Sequence, residues 1–216
     1  MVLKNILIFT LTLYLLIGCS KSPSSSSASW QLFPRRDDGH SLERPFFYRA
    51  YVPSQWIRQD PPAEESIADT TKSICEFYIH ENDQSIRITL HTFPILEEKR
   101  RIPPQAQIAR WKNQFEELDL VDIQTLSDAH GGFSGLFFEG QGIGKGTLIK
   151  VIGWSMQLAS LYERQLAQSK QPLDHYKRAD YTIKASGPPD LMNKHRAAIL
   201  AFARSFELID ELPAPL

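Results

Sequence analysis

Between residues 85 and 93 the chain alternates: Ile86, Ile88 and Leu90 fall on one side of an extended backbone, and Arg87, Thr89 and His91 on the other. A period of two belongs to a β-strand with two different faces, because successive Cβ atoms point to opposite sides of the sheet. Just upstream, Ser73 to His80 repeats the pattern, with Cys75, Phe77 and Ile79 on one side and Glu76 among those opposite. Glu81-Asn82-Asp83 lies between the two segments and has the composition of a turn, so together they predict a β-hairpin.

A hairpin with one apolar face has to bury it against other elements. Phe46 to Val52, aromatic and closed by Pro53, reads as a first strand. Gly132 to Gly140 and Thr147 to Leu158 read as a second hairpin with a flexible tip across Gly140–Gly146, and Tyr181 to Ser186 as a further strand. Pro103-Pro104 opens a helix, since proline suits the first helical turn. Ile108, Trp111, Phe115 and Leu118 then recur at helical spacing. Pro188-Pro189 opens a last helix with Leu191, His195, Ala198, Ile199 and Phe202 along one side, and Ser205 to Leu208 closes the domain. Hairpins combined with two helices far apart in sequence predict the α+β class, an antiparallel sheet with helices packed on it.

Ahead of this domain stands Lys4, an apolar run from Ile6 to Ile17, and Leu16-Ile17-Gly18-Cys19. A positive start, an apolar stretch and small residues at the cut describe a secretory signal peptide. The run is shorter than the roughly 20 residues needed to span a bilayer. Cysteine directly after Leu-x-Gly resembles the bacterial lipobox. That resemblance implies diacylglyceryl transfer to the Cys19 thiol, cleavage before Cys19 and acylation of the new amino terminus. Ser20 at the next position is compatible with sorting to an outer membrane. The expected organisation is a signal peptide at 1–18 and a lipidated cysteine with a flexible Ser-rich tether at 19–45. A single α+β domain follows at 46–208, with an insertion at 159–178, and a tail at 209–216.

With 24 Lys+Arg against 25 Asp+Glu, the balance gives no reason to expect nucleic acid as a partner. Of two cysteines the lipid takes Cys19, which leaves Cys75 without an intramolecular partner and predicts a buried free thiol. Gly140-x-Gly142-x-Gly144-Lys145-Gly146 fails as a phosphate loop. Position 139 is Glu where that motif needs glycine, and position 146 is Gly where it needs Ser or Thr. Gly132-Phe133-Ser134-Gly135 fails as a nucleophile elbow because its second glycine is misplaced by one. The six histidines show no metal-ligand spacing, so no metal and no cofactor is expected; His80 and His91 fall on adjacent strands. Trp56 and Trp111 are the candidates for a ligand groove, against the alternative that they pack the sheet–helix interface.

Several short signatures resemble the PsbP/Mog1-like group, including its bacterial lipoprotein members of the kind found in chlamydiae and planctomycetes. They are Pro53-x-x-Trp56, Arg110-Trp111-x-x-Gln114-Phe115, Tyr181-x-Ile183-x-Ala185-x-Gly187-Pro188 and Ser205-Phe206. The resemblance implies an α/β/α sandwich and binding or assembly roles, and it carries no catalytic residues. The expectation is a membrane-anchored, non-enzymatic interaction module of the cell envelope or surface, partnered by the membrane through Cys19 and by another envelope or surface protein. The alternative is a small-molecule or lipid carrier with a cavity between sheet and helices.

Overall fold

The alternating strand of Ile86, Ile88 and Leu90 lies at the heart of the molecule, all three side chains fully buried. The computed structural model describes residues 27–34, 46–61, 72–95, 97, 99 and 101–209. The signal segment, Cys19 and the tether as far as residue 26 lie outside the described residues. Eleven strands and four helices follow in order. They are β1 (Ala28–Pro34), β2 (Phe46–Pro53), β3 (Ile57–Gln59), β4 (Cys75–Glu81), β5 (Gln84–Pro94), α1 (Pro104–Lys112), β6 (Glu117–Leu118) and β7 (Gln124–His130). The rest are β8 (Phe133–Gly144), β9 (Thr147–Leu158), α2 (Ser160–Gln168), α3 (Pro172–Tyr176), β10 (Ala179–Gly187), α4 (Pro189–Arg204) and β11 (Glu207–Leu208).

Eight strands form one sheet in the order β3-β4-β5-β10-β9-β8-β6, with β7 also paired to β8. Every pairing is antiparallel. One face carries Phe77, Ile88, Ile183, Trp154 and Phe137, and against it pack α4 and a second, three-stranded sheet in the order β1-β2-β11. Three phenylalanines join the two sheets and the helix: Phe33 of β1, Phe77 of β4 and Phe206 before β11, with ring centroids about 6.1 Å apart in successive pairs around Phe33. The opposite face carries Phe138 and Val151, covered by α1 through Ile108 and Trp111. Helix, large sheet, then helix with small sheet is the layer order. The α+β class expected from the hairpins and the spaced helices is present.

Local sequence explains the ends of these elements. The helices α1, α3 and α4 each have proline in the first turn, where its missing N–H leaves no broken bond. Lys145 and Gly146 join β8 to β9 with φ of 53° and 72°. Two positive φ values in a two-residue loop are the type I′ geometry that matches strand twist.

Three expectations are corrected. The stretch expected to be tether through residue 45 includes β1, whose apolar Trp30 and Leu32 point outward, so the inward face shows only Phe33 and the usual contrast is missing. The glycine segment expected to be a flexible tip is mostly strand. A Cβ at Gly142 would sit 2.1 Å from the Glu117 carbonyl oxygen, so that glycine lets β6 approach. The helical spacing expected to run to Leu118 ends at Lys112, although Phe115 and Leu118 still join the same apolar cluster. The stretch read as an insertion, 159–178, holds α2 and α3 and packs on the domain: α2 buries Leu166, and Tyr176 of α3 stacks on Phe47.

Candidate functional site: a cationic groove beside the first helix

Helix α1 covers only part of its face of the large sheet, lying over β8 and β9. The neighbouring strands β5 and β10 present the polar side of their alternation on the same face. Register sets Thr89 opposite Lys184 and His91 opposite Thr182. Between these strands and α1 runs a groove of about 230 Å³. Arg87, Thr89 and His91 form its floor with Thr182 and Lys184, and Gln107, Arg110, Trp111 and Gln114 form the helix wall.

Its charge is one-sided. Arg87, Arg110 and Lys184 line the groove, and among the described residues no carboxylate does. Arg87 donates to Glu76 of the adjacent strand at 2.7 and 2.5 Å, which neutralises it at one edge. Lys184 donates to the Gln114 amide oxygen at 3.0 Å, a neutral partner. Among the described residues no carboxylate pairs with Arg110 or Lys184. Burial lowers the Lys184 pKa, and the nearby Arg87 and Arg110 charges push it further down. An anion in the groove would oppose the repulsion from Arg87 and Arg110.

Gln107 adds a different feature. It is buried, and its side-chain carbonyl oxygen has no hydrogen-bond partner. A buried acceptor left unpaired costs roughly 1–3 kcal/mol, and this oxygen is closed to solvent, so it offers no contact to a ligand in the groove. What the groove offers a ligand is therefore its cations. A second cavity that Gln107 also lines is only about 10 Å³, room for a single water and not for an acyl chain.

The two expected groove residues are not brought together. Trp111 lines the groove and lies over Gly153, whereas Trp56 is on the other side of the large sheet, packed on Phe77 and Phe202 with ring centroids at 5.9 and 5.3 Å. His80 faces Ser85 across the β4–β5 hairpin and stacks on Tyr78, while His91 stacks on Phe93, so the two histidines stay apart. Among the described residues no cluster of three His, Cys, Asp or Glu side chains is placed to hold a metal. Cys75 is free and fully buried, and burial raises its thiol pKa well above the ordinary range.

One other polar set sits inside the protein. The Tyr181 hydroxyl and His130 Nε2 share a hydrogen bond of 2.7 Å, and Trp154 Nε1 donates to Asp128 at 3.1 Å. Burial lowers the His130 pKa, opposed by Asp128. Tyr181 is 1% exposed, so this set braces the β7–β8 hairpin against β9 and β10 and opens onto no cleft through the tyrosine.

No family model matches this chain, and no curated protein sequence does. Two solved structures are similar to it at 12% identity. One is LpqN, described as involved in cell envelope biogenesis of Mycobacterium tuberculosis, covering 84% of this chain and 91% of that one with a TM-score of 0.46. The other is the cyanobacterial PsbP of Synechocystis sp. PCC 6803, covering 88% of this chain and 98% of that one with a TM-score of 0.48. Both likenesses concern the path of the chain and neither bears on what this protein binds.

Proposed function

We propose that this is a lipid-anchored protein of the bacterial envelope that acts by binding, without catalysis, and that the groove beside α1 takes the anionic group of its ligand. The lipobox-like Leu16-Ile17-Gly18-Cys19 supports the anchor. One observation carries the binding site: three cations converge on a groove, and among the described residues no carboxylate lines it and two of the cations have no counter-charge. The volume suits one acidic side chain, or a small carboxylate or phosphate, and lies below the usual range for a drug-sized ligand. An acidic segment of an envelope protein is the first reading. The carrier reading is favoured by the position of the groove between sheet and helix, and the polar lining restricts it to a small anion.

Titration of the purified protein with inorganic phosphate tests the site. Losing one charge-assisted contact costs about 1.5–3 kcal/mol, so Lys184→Met is expected to weaken binding by about 10- to 150-fold, and Arg110→Ala to do likewise. Equal affinity in all three proteins would refute the site. The anchor is tested separately: Cys19→Ala is expected to abolish palmitate incorporation and leave an uncleaved precursor, and incorporation persisting in that variant refutes it.

A further inference from the structure

The outer face of the three-stranded sheet is apolar where it meets solvent. Trp30 is 51% exposed, Tyr51 45% and Leu32 43%. Trp30 sits opposite Tyr51, and Leu32 opposite Arg49, on one side of the β1–β2 pair. The Trp30 and Tyr51 rings meet edge to face at 5.7 Å, and the Arg49 guanidinium lies 4.8 Å over the Trp30 ring. The face continues toward α3, where Tyr176 stacks on Phe47 and Leu173 is 57% exposed. Tryptophan and tyrosine with an arginine among them are the side chains that suit a bilayer interface. Their rings are apolar at one end and polar at the other, while the Arg49 guanidinium is already held by Glu207 at 2.7 Å.

The sequence supplies the occupant. Only Ser20 to Ser27 stand between Cys19 and the first residue of β1. The nine residue steps from Cys19 to Ala28 reach at most about 32 Å at full extension, so a lipid on Cys19 keeps the start of β1 within that distance of the headgroups. The strand that receives the tether is the strand that carries Trp30 and Leu32. Resting on the anchor reading above, we infer that the outer face of the three-stranded sheet lies against the phospholipid surface, with Trp30, Leu32 and Tyr51 in the headgroup region.

The protein carries its own reporter. Of its four tryptophans, Trp56, Trp111 and Trp154 are 5%, 3% and 0% exposed, so Trp30 alone is open to a quencher. The lipidated full chain would be reconstituted into phosphatidylcholine–phosphatidylglycerol vesicles with and without brominated acyl chains, alongside Trp30→Phe. Flotation reports whether the chain is anchored, and fluorescence reports whether the face is seated. The expected result is flotation, loss of most of the Trp30 emission in brominated vesicles, and no such loss in Trp30→Phe. Flotation with Trp30 unquenched by brominated lipid overturns the seated face while leaving the anchor intact. Trp30 shielded from acrylamide yet untouched by brominated lipid also overturns it, because a protein surface then covers the face. A chain that fails to float overturns the anchor reading, and this inference falls with it.

Discussion

Replacing Gly153 by alanine tests how α1 is held. Gly153 lies on β9 beneath Trp111, and a Cβ there would come within 2.5 and 2.8 Å of two atoms of the indole ring. Carbon atoms pack best at about 3.5–4.0 Å, so the ring would have to retreat by about 1 Å. Trp111 is 3% exposed and closes a cluster with Ile108, Phe115, Phe138 and Val151, which leaves it little room to do so. Overpacking of this kind costs about 1–3 kcal/mol. Without the clash, alanine in a strand would be favoured over glycine by about 0.5–1 kcal/mol, so the expected sign depends wholly on Trp111. For a domain of this size each kcal/mol moves Tm by about 2–4 °C, which puts the Gly153→Ala loss at about 2–12 °C by calorimetry or circular dichroism. In a double-mutant cycle, Trp111→Leu removes the obstructing ring atoms, and adding Gly153→Ala to it should cost almost nothing further. A Tm unchanged or raised in Gly153→Ala, or strictly additive losses, would refute the reasoning.

Two further outcomes are expected. Glu76 is held near a pKa of about 2, against an ordinary 4.5, chiefly by hydrogen bonds from Arg87, with Tyr78 and Ser73 adding to it. A carboxylate depressed by folding contributes stability that is complete above its unfolded pKa and is lost on protonation. Urea unfolding should therefore show a loss on the order of 1 kcal/mol between pH 4.5 and 2, limited because Arg87 is half-exposed and screened. Glu76→Gln should flatten that part of the profile, and an unchanged slope would refute the assignment. Cys75 is buried with its thiol pKa raised, so Ellman's reagent should find no thiol in the native lipidated chain and one after denaturation. Two thiols in denaturant would refute lipidation at Cys19, and rapid native reaction would refute the burial of Cys75.

The elements legible in the sequence were those with one apolar and one polar face. The β4–β5 hairpin was readable because Ile86, Ile88 and Leu90 contrast with Arg87, Thr89 and His91, and α4 because proline marks its start. Strands without that contrast went unread. β7 is solvated over nearly its whole length, β3, β6 and β11 are two or three residues each, and β1 turns Trp30 and Leu32 outward. The groove residues stood in plain view for other reasons: Arg87 and His91 as the polar side of a strand, Arg110, Trp111 and Gln114 within a family-like signature. What no single sequence displays is that β10 lies between β5 and β9, which brings Lys184 beside residues about 70 and 100 positions away. Pairing by sheet order, not by spacing, assembles the site.

The layer order sets the electrical surroundings of that site. The groove opens on the α1 side of the large sheet, and the three-stranded sheet packs on the other. Packed sheets lie about 10 Å apart, and a helix adds a comparable layer, so the groove mouth stands about 20 Å from the outer face of β1 and β2. At physiological ionic strength the potential of an anionic bilayer decays over about 8 Å. With the small sheet seated on lipid, the cations of the groove meet their ligand beyond that potential. Headgroup charge would then leave the affinity for a negative ligand unaltered, and the same binding strength would hold in membranes of different acidity.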